Sequence, residues 1–231
     1  MGAGLLTVTL AGCSTGTGTG STATDGPASA PATASADPGT TADGGSGIPG
    51  LSGIPAEALL QPDDVRGATA EPLEQGEFAH VRPLRPCGTA KYPSDGTRTD
   101  AVAMRYTVPG SEQGSTPSTV VEFVGRHQAG GAAAQFTEIG AALTKCPGGL
   151  GEDQKRWTIV ESGDHSVLVK IEQRFSYAEE APATVAHYAA LSRVNDAVVV
   201  VADLGWENMD GSEKLVRDLI VTAEQRAAVI K

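Results

Sequence analysis

Between Thr119 and Cys146 the hydrophobic pattern changes period. Val121, Phe123 and Gly125 alternate with Glu122, Val124 and Arg126, which predicts a half-buried strand, and Gly130-Gly131 interrupts the alternation. Ala132, Phe136, Ile139, Leu143 and Cys146 then recur every three or four residues, the stripe of an amphipathic helix over about 131–146 that Pro147-Gly148-Gly149 ends. Cys146 falls on that stripe and is predicted to point inward.

The flanking chain supplies further elements. Pro55 fits the first turn of a short helix over Ala56–Leu60, stopped by Gln61-Pro62-Asp63-Asp64. From Val65 to Gly88 no period emerges, and Pro72, Pro83 and Pro86 punctuate irregular chain. Ala101–Val108 alternates as a strand, and Ser111–Pro117 is loop. Arg156–Ser162 reads as a strand that turns at Ser162-Gly163-Asp164 into another, where Val167, Val169, Ile171 and Phe175 oppose Lys170, Glu172 and Arg174.

The acidic loop Ala178–Pro182 precedes a hairpin of Thr184–Val194 and Ala197–Leu204 around Asn195-Asp196, residues that tolerate positive φ. Val198–Val201 is apolar on both faces and is predicted to be central. Asp210 with Glu213 resembles a capping box for a last helix over about 211–229, whose stripe includes Leu215, Val216, Leu219, Ile220, Ala223 and Ala227. The order of elements predicts an α+β fold, an antiparallel sheet of about six strands with helices on its faces.

Composition divides the chain. The first 47 of its 231 residues contain no Lys, Arg or aromatic side chain and cannot form a core. Residues 14–47, rich in Ser, Thr, Gly, Ala and Pro, read as a flexible tether with a span on the order of 30 Å, leaving 48–231 as the folded domain. All 17 basic residues but only 25 of the 28 acidic ones lie beyond residue 47, a net charge of −8 for the domain. That balance and the lack of a basic stripe argue against a nucleic-acid partner and against docking on an anionic membrane face.

Leu10-Ala11-Gly12-Cys13 matches a bacterial lipobox at the end of an apolar run suited to a signal segment, residues 1–13, and too short to span a bilayer. The first basic residue is Arg66, so the basic n-region of such a segment is expected upstream of Met1. With Cys13 acylated, two of the three cysteines remain, and export to an oxidising compartment predicts a Cys87–Cys146 bridge. Closing a loop of about sixty residues stabilises by roughly 4 kcal/mol. Two buried free thiols are the alternative.

Candidate chemistry is sparse. His80, His127, His165 and His187 lack the spacing of a metal site, no CxxC occurs, and no cofactor motif is present. Asp164-His165-Ser166 holds three triad residue types, but neighbours on a turn and strand cannot face one another as nucleophile, base and orienter. No catalytic residue is assigned. Arg126, with Gly130 and Gly131 at a helix start, offers donors to an anion. The alternative is that the glycines only permit the turn. Trp206 and Met209 before the last helix either line a groove or cap the core.

Val121-Glu122-Phe123, Gly130-Gly131-Ala132-Ala133, the Phe136 helix ending in Cys146-Pro147, Gly163-Asp164, the Arg193 hairpin and the closing helix together resemble the PknH-like extracellular sensor domain over about residues 54–229. That family occurs in actinobacteria on receptor Ser/Thr kinases and alone as lipoproteins. The resemblance implies binding outside the cell and no catalytic residues. Two departures stand out: the kinase member has two disulfides where this domain can form one, and no kinase motif is present.

The resulting expectation is a non-enzymatic sensor or ligand-binding lipoprotein on the extracytoplasmic face of the cell membrane. Its expected partners are a small envelope ligand or an envelope protein, the latter making it a scaffold; a hydrolase ranks third. Membrane fractionation tests the anchor. The full-length chain with its upstream codons is expected in the membrane pellet and Cys13→Ser in the soluble fraction; equal partition would defeat the lipidation reading.

Overall fold

The run Ala197–Asp203, AVVVVAD, is buried along its whole length, and a strand apolar on both faces needs cover above and below. The computed structural model, which describes residues 53–110, 116–175 and 182–231, supplies that cover. Its strands are β1 (Thr69–Pro72), β2 (Arg98–Val108), β3 (Ser118–His127), β4 (Lys155–Ser162), β5 (Ser166–Phe175), β6 (Ala183–Val194) and β7 (Ala197–Asp203). The helices are α1 (Gly131–Lys145) and α2 (Glu213–Ala227). All strand pairs are antiparallel, in the order β1-β2-β3-β7-β6-β5-β4.

The α+β fold matches the sequence expectation, with β7 at the sheet centre. The strand missing from that expectation is β1, four residues at the edge where Pro72 is tolerated, too short and too exposed for an alternating pattern. The loops predicted over 111–117 and 178–182 fall partly outside the described residues. Cys13, the signal segment 1–13 and the tether 14–47 fall wholly outside them.

Two cores flank the sheet. On one face α2 packs with Ile54, Leu59, Leu60 and Val65 over Met104, Val124, Val199 and Val201. On the other, α1 places Ala132, Ile139 and Leu143 over Val121, Phe123, Val198 and Val200. Cys87 and Cys146 are bridged, their Cα atoms 5.3 Å apart across 59 positions. Cys146 follows the last helical residue and is half-buried rather than pointing into the core.

Local details depart from the periodic reading. The predicted short helix is a single 3₁₀ turn, Ala56–Ala58. A second turn, Pro62–Val65, forms where a stop was expected, because the Asp64 carboxylate accepts from Gln61 N–H at 2.7 Å and Pro62 is preset for a first turn. The cap of α2 is Ser212, whose hydroxyl accepts from Leu215 N–H at 3.2 Å. Asp210, expected in that role, accepts from Ala186 N–H on β6 at 2.7 Å.

The main correction concerns β3, which is buried on both faces rather than half-buried. Glu122, assigned by alternation to solvent, has no exposed surface. Its oxygens accept from Leu60 N–H at 3.1 and 3.0 Å. Oε2 also lies 2.8 Å from the Tyr106 hydroxyl, which lies 2.7 Å from the Leu60 carbonyl. That hydroxyl has one proton and two acceptors beside it.

A proton on Glu122 completes the count. The acid then donates to Tyr106, Tyr106 donates to Leu60 C=O, and Leu60 N–H donates to the other carboxyl oxygen. Burial pushes the Glu122 carboxyl up to about 7, against the hydrogen bonds from Tyr106 and Leu60 and the charge of Arg226, which pull it down. The network fastens residues 54–68 to the sheet, and an Asp64–Arg226 ion pair at 2.5 Å fastens the same strap to α2.

Because the folded-state value lies above the ordinary 4.5, the folded chain holds more protons than the unfolded one between 4.5 and about 7. Stability is therefore fullest at the acid end of that window and is lost as pH rises through about 7. In urea titrations the wild-type midpoint is expected to fall between about pH 5 and pH 8. Glu122→Gln, with a carbonyl for Leu60 and an amide donor for Tyr106 at every pH, is expected to flatten that slope. Equal slopes would mean that Glu122 takes up no proton on folding.

Candidate functional site

The two loops singled out in the sequence lie at opposite ends of the sheet. β3 and β7 are antiparallel neighbours, with Val120 opposite Asp203 and Arg126 opposite Ala197. The loop after β3 therefore sits beside the start of β7, and the loop after β7 beside the start of β3. A seven-residue strand separates them by roughly 20 Å. One small ligand cannot touch both Arg126 and Trp206.

The first loop is built for structure. Arg126 donates to the carbonyls of Lys231 at 3.0 Å and Gly53 at 3.5 Å, clasping both ends of the domain. Gly130 caps α1 at φ 79°, and its N–H lies 3.3 Å from Asp196 Oδ1, so a side chain of the protein already serves the helix start. A Cβ on Gly131 would lie 2.2 Å from Thr97 Oγ1. His127 is buried, with Nδ1 3.0 Å from Thr97 Oγ1 and Nε2 3.1 Å from Gln135 Oε1, and burial lowers its pKa.

At the other end Trp206 is half-buried and Met209 is 51% exposed. Met209 lines a cleft of about 210 Å³ with Arg66, Pro109, Pro117 and Leu215. Asp164 and His165 lie in the β4–β5 turn and Ser166 begins β5, and Arg193 Nη2 lies 2.8 Å from His165 Nδ1. Among the described residues no three His, Cys, Asp or Glu side chains are grouped as metal ligands.

A different place gathers unspent polar groups. On the α1 face, the register aligns Trp157, Ile171 and His187 across β4, β5 and β6, with Lys155 beside Gln173 in the next row. The irregular segment before β2 covers these rows and brings in Phe78 and His80. Arginines pin that segment: Arg82 donates to the carbonyls of Glu74 and Glu77 at 2.7 and 2.8 Å, and Arg85 pairs with Asp95 at 2.9 Å.

Between segment and sheet lies a cleft of about 310 Å³, lined by Phe78, His80, Lys155, Gln173, Phe175, His187 and Glu207 among others. A second cleft of about 290 Å³, reaching Arg85, Gln154 and Trp157, shares His80 and Lys155 as its wall. His80 stands edge-on to Trp157, ring centroids 6.3 Å apart.

His187 is 9% exposed, and Nε2 of both His80 and His187 is buried with no hydrogen-bond partner among the described residues. Leaving a buried polar atom unpaired costs about 1–3 kcal/mol. Burial, then the nearby Lys155 charge and His187, brings the His80 pKa down to about 4. Burial also lowers that of His187, with Lys155 acting the same way and Asp203 and Asp210 opposing. Both rings are therefore neutral at neutral pH.

Sequence reasoning missed this cleft. His187 did carry a signal, since it occupies an inward position of β6 between Val185 and Ala189 where alternation calls for an apolar residue. His80 carried none, because its segment has no period.

The sequence matches no family profile and no curated protein. Among solved structures, the chain is similar to the extracellular domain of PknH from Mycobacterium tuberculosis, at 16% identity and a TM-score of 0.45 over 73% of this chain and 93% of that one.

Proposed function

We propose that this protein is a lipid-anchored, non-enzymatic binding module of the extracytoplasmic face, and that its folded domain takes a small ligand in the cleft between His80 and His187. The cleft carries this reading: two buried imidazole nitrogens without partners among the described residues are a stability cost that a core has no use for and that a ligand offsets. The lipobox at Cys13 and the linker-like composition of 14–47 support the attachment. The Cys87–Cys146 bridge suits an oxidising compartment.

The scaffold reading has its best surface at β4, where Ile159 and Val160 are 42% and 41% exposed. That edge is poorly suited to strand addition. A bulge lies between Ile159 and Glu161, and a Gly148–Arg156 bridge covers one end.

The test separates a ligand-binding histidine from a structural one. His187→Leu removes an unpaired buried nitrogen and is expected to leave stability unchanged or raised by about 1 kcal/mol in urea unfolding. The same change is expected to abolish the binding of small-molecule fragments whose NMR titrations move the His80 and His187 ring signals of the wild type while leaving those of His165 in place. Loss of several kcal/mol with fragment binding intact would make His187 structural and defeat the proposal.

A further inference from the structure

We propose that the ligand of this cleft is a small amphipathic anion, a carboxylate or phosphate monoester on an apolar body, with its head held by Lys155 and the imidazoles of His80 and His187 and its body against Phe78 and Phe175. The inference rests on the reading of the cleft as the binding site and adds the ligand's chemistry.

Lys155 begins β4, faces the cleft beside Gln173 and is half-buried. Its ammonium makes no ion pair or hydrogen bond with any described residue, although burial disfavours its charged form. An ammonium has three donors and no acceptor. No described carboxylate comes within ion-pair distance of it.

The other charges nearby leave that need in place. Asp153 acts on Lys155 only at longer range. Glu207 lines the cleft from the loop after β7 but is exposed and forms no ion pair among the described residues. Asp203 accepts from Gly205 and Ser212 N–H at 2.9 and 2.8 Å and from the Ser118 hydroxyl, and Asp210 is bound by Ala186 N–H. Arg85, on the adjoining cleft, pairs with Asp95, which it shares with Arg98. Among the described residues lining the two clefts, Lys155 is the cation without an ion pair.

The same charge argues against a metal ion, since an ammonium beside two imidazoles repels a cation. An anion has the opposite effect on all three groups. It favours the charged form of Lys155 and makes imidazole protonation easier, so each ring can donate from Nε2. Phe78, Phe175 and the Trp157 that packs on His80 supply apolar surface within reach of that head. Such a division of polar and apolar walls fits a head and a body rather than a free inorganic ion.

The test uses the soluble Cys13→Ser chain and four probes of equal tail length at neutral pH: octanoate, octyl phosphate, 1-octanol and octyltrimethylammonium. The two acids are expected to bind about tenfold or more tightly than the alcohol and the cation, and to move the His80 and His187 ring signals. Lys155→Met is expected to lose about tenfold for the acids alone, and Lys155→Arg to restore most of it.

Octanol binding as tightly as octanoate, or Lys155→Met leaving the acids unaffected, would overturn the anion assignment while the cleft stands as a ligand site. If no probe moves either cleft histidine, the cleft reading and this inference fall together. Co-sedimentation with phosphatidylglycerol vesicles separates the two sources of such a head. Binding that depends on Lys155 in vesicles marks a membrane headgroup, and binding confined to monomeric probes marks a free amphiphile; either supports the assignment.

Discussion

The carboxyl group of Glu122 lies in the middle of the sheet with no contact with water, and the way its hydrogen bonds close decides how the N-terminal strap is attached. Burial raises the pKa of that carboxyl to about 7, so below that pH the group keeps its proton and donates it to Tyr106. Leu60 then has both its backbone groups satisfied by side chains of β2 and β3 instead of by a neighbouring strand. Without that device, Ile54 to Ala68 would have only apolar contacts and the Asp64–Arg226 pair to hold it over the α2-side core.

A second constraint is the antiparallel pairing of β3 with β7, which places consecutive meanders side by side and sends α1 across one face toward the far edge. Loops that are close in kind are thereby far apart in space. At the start of α1 Asp196 accepts from Gly130 N–H, and Thr97 lies so close that Gly131 has no room for a Cβ, so the positive end of that helix serves the fold. The opposite end of the α1 face is covered by the irregular, arginine-pinned segment before β2 and bordered by Gly205 and Glu207 of the loop after β7. There the covering is incomplete, and the cleft opens.

The buried polar groups of this domain differ in how many of their partners lie within the chain. Around Glu122 every donor and acceptor closes within the chain, and around His127, Gln135 and Asp95 both imidazole nitrogens meet protein groups although Arg98 Nε is left unpartnered among the described residues. Around His80, Lys155 and His187 nothing described closes it. The same residue type, a buried histidine, thus has opposite meanings at positions 127 and 187, and the difference is whether a protein group meets the ring nitrogen.

Local spacing alone determined six of the strands, both helices, the Asn195-Asp196 hairpin and the centrality of β7, because side-chain period and turn chemistry are properties of adjacent residues. The even count of cysteines left for the domain pointed to the bridge now seen. Only the tertiary structure decided that Glu122 faces Leu60, 62 positions away, and not water. Alternation reports which side of a strand a residue occupies, and it does not report whether that side is covered. Only the tertiary structure paired β1, since four edge residues containing Pro72 carry no period. The cleft was legible at one residue, His187, out of step on an apolar strand face. His80 and Lys155 joined it through strand register and a segment without period, which are relations between distant parts of the chain that no local pattern encodes.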